Sequence, residues 1–142
     1  MRTGHDVAML AIGSMVTSAL KAAELLEKAE ISAEVVNMRF VKPIDGELLD
    51  HIAERFTHVV SLEDNVVTGG MGSAIAEHYA SKDLAALRLK IHGIPDRFID
   101  HGTPAELQKE LSLDPTGIAQ VVKEFLARSG TTAHRSAGVL IS

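Results

Sequence analysis

Gly69, Gly70 and Gly72 stand in the run Gly69-Gly70-Met71-Gly72, just ahead of a stretch with helical spacing. Free N–H groups at a helix start, together with the helix dipole, attract anions. The dinucleotide fingerprint is not met. It would need a third small residue where Ile75 stands, and a place after the first strand rather than the third. No Walker lysine accompanies the loop. Two readings stay open: a turn that lets backbone pack closely on a neighbour, and direct anion binding. Upstream lie Glu63, Asp64 and Asn65. Carboxylates at the C-terminal end of a central strand sit where open α/β sheets place functional groups. A phospho-acceptor site would also need an acidic pair after the first strand, and Gly13-Ser14 stands there instead. Glu63 and Asp64 therefore either serve a ligand or act structurally, capping the glycine loop or facing a partner subunit.

The seven histidines, His5, His51, His58, His78, His92, His101 and His134, show no His-x-x-x-His or similar ligand spacing. No metal site is expected. His92-Gly93 and His101-Gly102 read as turn positions. Ser14 lacks the Gly-x-Ser-x-Gly elbow of an activated serine. Phe56 and Phe125 fall at helical spacing and read as core. Phe40 and Phe98 lie in irregular segments, where they close the ends of the sheet or meet a partner. No acid, base and nucleophile converge in a recognisable way.

Whatever positions these residues is one domain. The chain has 142 residues, 46% apolar and 23% charged, with a net charge of −5. That is enough for one core and too ordinary a composition for disorder. The negative balance excludes a basic nucleic-acid footprint and a polybasic membrane patch. No segment approaches the roughly 18 apolar residues of a membrane span. Zero cysteines exclude disulfides, zinc–cysteine sites, iron–sulfur ligation and a thiol nucleophile. The first residues do not read as a secretion signal.

Val7 to Ile12 is a continuous apolar run ended by Gly13, the pattern of a strand buried on both faces. Ser14 is placed to cap a helix carrying Val16, Ala19, Leu20, Ala23 and Leu26. Residues 33–38 make the second strand. Asp45 caps a short helix whose apolar face is Leu48, Leu49, Ile52 and Phe56. Residues 57–62 make the third strand, and the glycine loop opens a helix with Ile75, Ala76 and Tyr79. Residues 87–91 alternate like an edge strand. Thr103-Pro104-Ala105-Glu106 is a capping box that predicts a helix through Leu111, and Asp114-Pro115 starts another carrying Ile118, Val121, Val122 and Phe125. Residues 1–128 form the predicted domain. Residues 129–142, small and polar around Val139-Leu140-Ile141, read as a frayed tail. The order predicts a three-layer α/β/α domain with a mostly parallel sheet in the order 2-1-3-4. A switch-point crevice should open between the first and third strands.

Several phrases together resemble one family. Residues 6–16, Asp-Val-Ala-Met-Leu-Ala-Ile-Gly-Ser-Met-Val, are similar to the opening of the C-terminal domain of transketolase-class enzymes. Residues 35–45, through Asn37-Met38-Arg39-Phe40-Val41-Lys42-Pro43, resemble the 1-deoxy-D-xylulose-5-phosphate synthases most. So do residues 62–74, from Leu62-Glu63-Asp64-Asn65 through the glycine loop. The stretch Gly93-Ile94-Pro95-Asp96-Arg97-Phe98-Ile99-Asp100-His101-Gly102 separates these synthases from transketolase proper and from pyruvate dehydrogenase β subunits, which share the fold and the loop.

The resemblance implies a role in an enzyme that joins pyruvate to glyceraldehyde 3-phosphate with loss of carbon dioxide. That reaction feeds isoprenoid, thiamine and pyridoxal synthesis. Its cofactors are thiamine diphosphate and magnesium, which the family holds on its first two domains. No Gly-Asp-Gly…Asn motif occurs here, so no catalytic, cofactor-binding or metal-binding residue is carried over. The implied role is packing against the N-terminal and middle domains of the same synthase and helping to form a homodimer. Glu63, Asp64, Asn65, Gly69, Gly70 and Gly72 are the first interface candidates, with Arg39 and Phe40 second. The chain is expected to be inactive alone, and cytoplasmic in a bacterium or plastid-bound in a plant. In the family an extra edge strand, antiparallel to the second strand, precedes the equivalent of Asp6. It is expected to be missing here, leaving an edge beside the second or fourth strand bare, and the chain reads as a fragment. The alternatives are the C-terminal domain of another thiamine-dependent enzyme and a stand-alone anion-binding module.

Overall fold

A computed structural model of the chain describes residues 2–39, 44–66, 70–82, 84, 86–94, 106, 109–131 and 138–141. Strand β1 (Val7–Ala11) lies at its centre, with all five residues buried. It pairs in parallel with β2 (Ala33–Asn37) on one side and β3 (His58–Val66) on the other. This two-sided pairing explains the uninterrupted apolar run, since alternate side chains enter two different cores. Val7, Met9 and Ala11 face α1 (Met15–Lys28) and α4 (Pro115–Thr131), where Met15, Ala19, Leu26, Ile118, Val122 and Phe125 pack on them. Ala8 and Leu10 face α2 (Gly46–Arg55) and α3 (Met71–Ala80), against Leu49, Ile52, Met71 and Ile75.

β3 pairs in turn with β4 (Arg88–Ile94), again in parallel. The expected order β2-β1-β3-β4 is therefore found, in the expected three layers. The strand order reverses between β1 and β3, the place where open α/β sheets set their crevice. Asp45 caps α2 as its type predicts, its Oδ1 accepting from the Leu48 N–H at 3.0 Å.

The structure departs from expectation at the C-terminus. α4 runs past Arg128 to Thr131, and a fifth strand, β5 (Gly138–Ile141), pairs in parallel with Arg88–Ile91. β4 is thus an inner strand over residues 88–91, and its edge is not bare. Four residues are too few to show a period. What places them is tertiary: the unpaired N–H and C=O groups along β4 are a template for a strand. Beside β2, Arg2 makes one isolated antiparallel bridge to Val35. The capping box at Thr103–Glu106, together with Phe40, Gly69, Phe98 and His101, lies outside the described residues except for Glu106. No helix among the described residues is long and apolar enough to cross a membrane.

Candidate functional site

The C-terminal ends of β1, β2 and β3 bring the predicted residues to one side of the sheet. Glu63 lies on β3, not beyond it, and is 1% exposed. Its Oε2 accepts from the Met71 N–H at 2.6 Å and its Oε1 from the Gly72 N–H at 3.1 Å. The glycine loop's anion position is thus filled by the chain's own carboxylate, which satisfies two of the free donors at the start of α3. The two glycines permit this closeness. A Cβ on Gly70 would sit 2.6 Å and 2.8 Å from the two carboxylate oxygens, and one on Gly72 would press on Ile91 and lie 2.8 Å from Ser61 Oγ. An external anion at this helix start would have to displace Glu63.

Burial pushes the Glu63 carboxyl up. The Gly72 and Met71 N–H groups pull it back and the neighbouring Asp64 charge raises it again, for a net rise. Ser61 Oγ beside it is buried, and no partner accompanies it among the described residues.

Asp64 points the other way and is exposed. Its Oδ2 accepts from Ser14 Oγ at 2.8 Å, which ties the end of β3 to the turn after β1. Ser14 therefore does not cap α1 with its side chain, contrary to expectation. The Asp64 carboxylate on β3 holds its hydroxyl instead. Among the described residues no histidine joins this pair to act as the base that would make the hydroxyl a nucleophile. Arg39, two residues past β2, is exposed. Asn65 lies on β3 by its backbone. The candidate residues thus divide into a sealed pair, Glu63 and Gly72, and an exposed group, Asp64 and Arg39, with Gly70 half-buried between them.

His92 is not at a turn. It sits within β4, 3% exposed, and its Nε2–H donates to the Ser112 carbonyl at 2.8 Å. Burial holds its pKa below the usual histidine range. Sequence reasoning also missed a clamp on the far side of β2. Arg55 on α2 forks onto Glu34, with Nη1 2.9 Å from Oε2, and Gly4 N–H donates to the same carboxylate at 3.2 Å. The sequence pattern of β2 gave no sign of it, since a lone glutamate in a strand reads as solvent-facing, whereas Glu34 is buried. Among the described residues no group of three His, Cys, Asp or Glu side chains could hold a metal ion.

A model of the transketolase C-terminal domain family matches residues 1–118. The 1-deoxy-D-xylulose-5-phosphate synthase of Chlorobium luteolum is 48% identical over 125 residues, 88% of this chain and 20% of the relative's length. The synthase 1 of Geobacter sulfurreducens is 42% identical over 130 residues, 92% of this chain and again 20% of the relative. The chain spans about one fifth of the length of these curated relatives. Among solved structures, a split-gene transketolase described as an inactive beta4 tetramer superposes with a TM-score of 0.81 at 36% identity, covering 89% of this chain and 41% of that one. A transketolase from Pichia stipitis, 20% identical with a TM-score of 0.67 over 96% of this chain and 18% of that one, shares the fold.

Proposed function

This chain belongs to the transketolase C-terminal domain family, and on that footing we propose that it serves as the C-terminal domain of a 1-deoxy-D-xylulose-5-phosphate synthase. The observation that carries the reading is 40–48% identity to such synthases across most of the chain, in Chlorobium, Geobacter and Synechococcus among others. The whole enzyme condenses pyruvate with glyceraldehyde 3-phosphate and releases carbon dioxide. Thiamine diphosphate with magnesium supplies the carbanion chemistry when bound. The residues here do not fit that group: the helix start best suited to a diphosphate is closed by Glu63. No step of the reaction is assigned to this chain.

Its role in this reading is to pack against the N-terminal and middle domains and to help pair two subunits, in the cytosol of a bacterium. Asp64 and Arg39, exposed at the C-terminal edge of the sheet, form the contact surface. Glu63, Gly70 and Gly72 shape the loop behind it, and Asn65, Gly69 and Phe40 fall within the same two segments.

A chimera tests this. The C-terminal domain of a characterised synthase is replaced by this chain, and turnover of pyruvate and glyceraldehyde 3-phosphate is measured with both cofactors present. The chimera should be active and the isolated chain silent. A folded chimera without activity, or turnover by the chain alone, would sink the proposal.

A further inference from the structure

β4 turns two different faces to its two cores. Leu89 and Ile91 enter the core with α2 and α3. Arg88, Lys90 and His92 alternate with them and face α4. Between β4 and α4 lies a cavity of about 390 Å³, lined by Lys90, His92, Val121, Glu124, Phe125 and Arg128, with Glu110 on the same wall. That volume lies in the range of small-ligand sites. Half-buried Lys90 makes no hydrogen bond or ion pair among the described residues. Farther along the same face, His58 and Arg88 are paired in register, and His58 stacks edge-on against Phe125. His58 Nε2 and Arg88 Nε are both buried and without a hydrogen-bond partner among the described residues.

We propose that this cavity is an oxyanion site, in which Lys90 and Arg128 hold the phosphate or carboxylate group of a small ligand against an apolar wall of Val121 and Phe125. It lies on the face of β4 that is turned to α4 and does not depend on the proposed role in a synthase. The lining carries charges of both signs, and Lys90, the charge left without a hydrogen bond or ion pair among the described residues, decides the ligand's sign. Burial depresses the lysine's pKa first. Repulsion from Arg128 comes next, ahead of the attraction from Glu124. An oxyanion beside the Lys90 ammonium would supply the partner it lacks among the described residues. The planar guanidinium of Arg128 suits two-point contact with such a group.

The test titrates the full chain with inorganic phosphate and, separately, with acetate, by calorimetry. A parallel measurement follows acetylation of Lys90 by an amine reagent, read by mass spectrometry with and without each anion. Saturable binding is expected, with Lys90 protected from acetylation while Lys82, on the opposite face, is not. Lys90→Met should weaken binding at least about tenfold, and Lys90→Arg should retain it within about threefold. The tighter of the two anions identifies the site as one for phosphate or for carboxylate ligands. No saturable binding, no protection of Lys90, or equal binding by Lys90→Met (an adventitious ion only) would each overturn the proposal. The protection experiment needs no variant, so a misfolded substitution cannot leave the question open.

Discussion

The carboxylate of Glu63 closes on the backbone N–H of Met71 at 2.6 Å, eight residues further along the chain, and so seals the start of α3 from within. Removing it leaves the Met71 and Gly72 donors buried without a partner. Glu63→Ala should cost about 1–3 kcal/mol, read as a fall in the urea midpoint at unchanged slope. An unchanged midpoint would mean that water replaces the carboxylate freely.

The same residue sets a pH dependence whose sign follows from its raised pKa. The folded state holds the proton more tightly than the unfolded state, whose carboxyl titrates near 4.5. Stability from this group is therefore fully present below that value and declines as pH rises through the higher folded pKa. Glu63→Gln does not titrate. The stability difference between the native chain and Glu63→Gln should narrow or reverse as pH rises above 4.5, as followed by urea unfolding across a pH series.

Gly70 and Glu63 should be coupled. A methyl at position 70 would lie 2.6 Å from Oε2, so Gly70→Ala should cost about 1–3 kcal/mol by overpacking. In the Glu63→Ala background the clash is gone. A double-mutant cycle should then show the two losses to be less than additive. Strict additivity would place the strain in the backbone instead.

Glu34 and Arg55 provide a second, opposite titration. Burial alone would raise the Glu34 pKa, but the Arg55 hydrogen bonds, the Gly4 N–H and the Arg55 charge hold it below the usual range. Stability from the pair is present above the unfolded value and lost as pH falls through the lowered one. Arg55→Gln should destabilise the chain at neutral pH and lose that disadvantage progressively in acid. A penalty that stayed constant with pH would assign Arg55's contribution to its packing over Phe56, where its guanidinium lies 4.9 Å from the ring centre.

Deleting residues 132–142 removes β5 and uncovers the edge of β4 at Arg88–Ile91. An exposed strand edge pairs with its like. The shortened chain should self-associate at concentrations where the full chain does not, as read by light scattering against concentration. A shortened chain that scatters like the full one would show that the edge is protected by other means.

Much of this was written in local pattern. The unbroken apolar run of β1, the Asp45 cap and the glycines before α3 each have a signature within a few residues. The strand order followed from them because crossovers obey general rules. The partnerships were not local. Ser14 looks like a helix cap, and its actual partner is fifty residues away. His92 beside Gly93 looks like a turn until β4 is known to be covered on both faces. The loop chemistry was legible only as two alternatives, and the choice rested on where Glu63 Oε1 and Oε2 point. The cationic face of β4 is written in the alternation of Arg88, Lys90 and His92, but such a row normally faces solvent, and only the position of α4 turns it into a cavity wall.

β1 is flanked by a strand on each side and a helical layer above and below, and no residue of it meets solvent. Its amide protons can trade with deuterium only when the entire sheet comes apart. Residues 7–11 should therefore exchange slowest among the described residues, a built-in gauge of global opening against which loosening at either rim of the molecule can be measured.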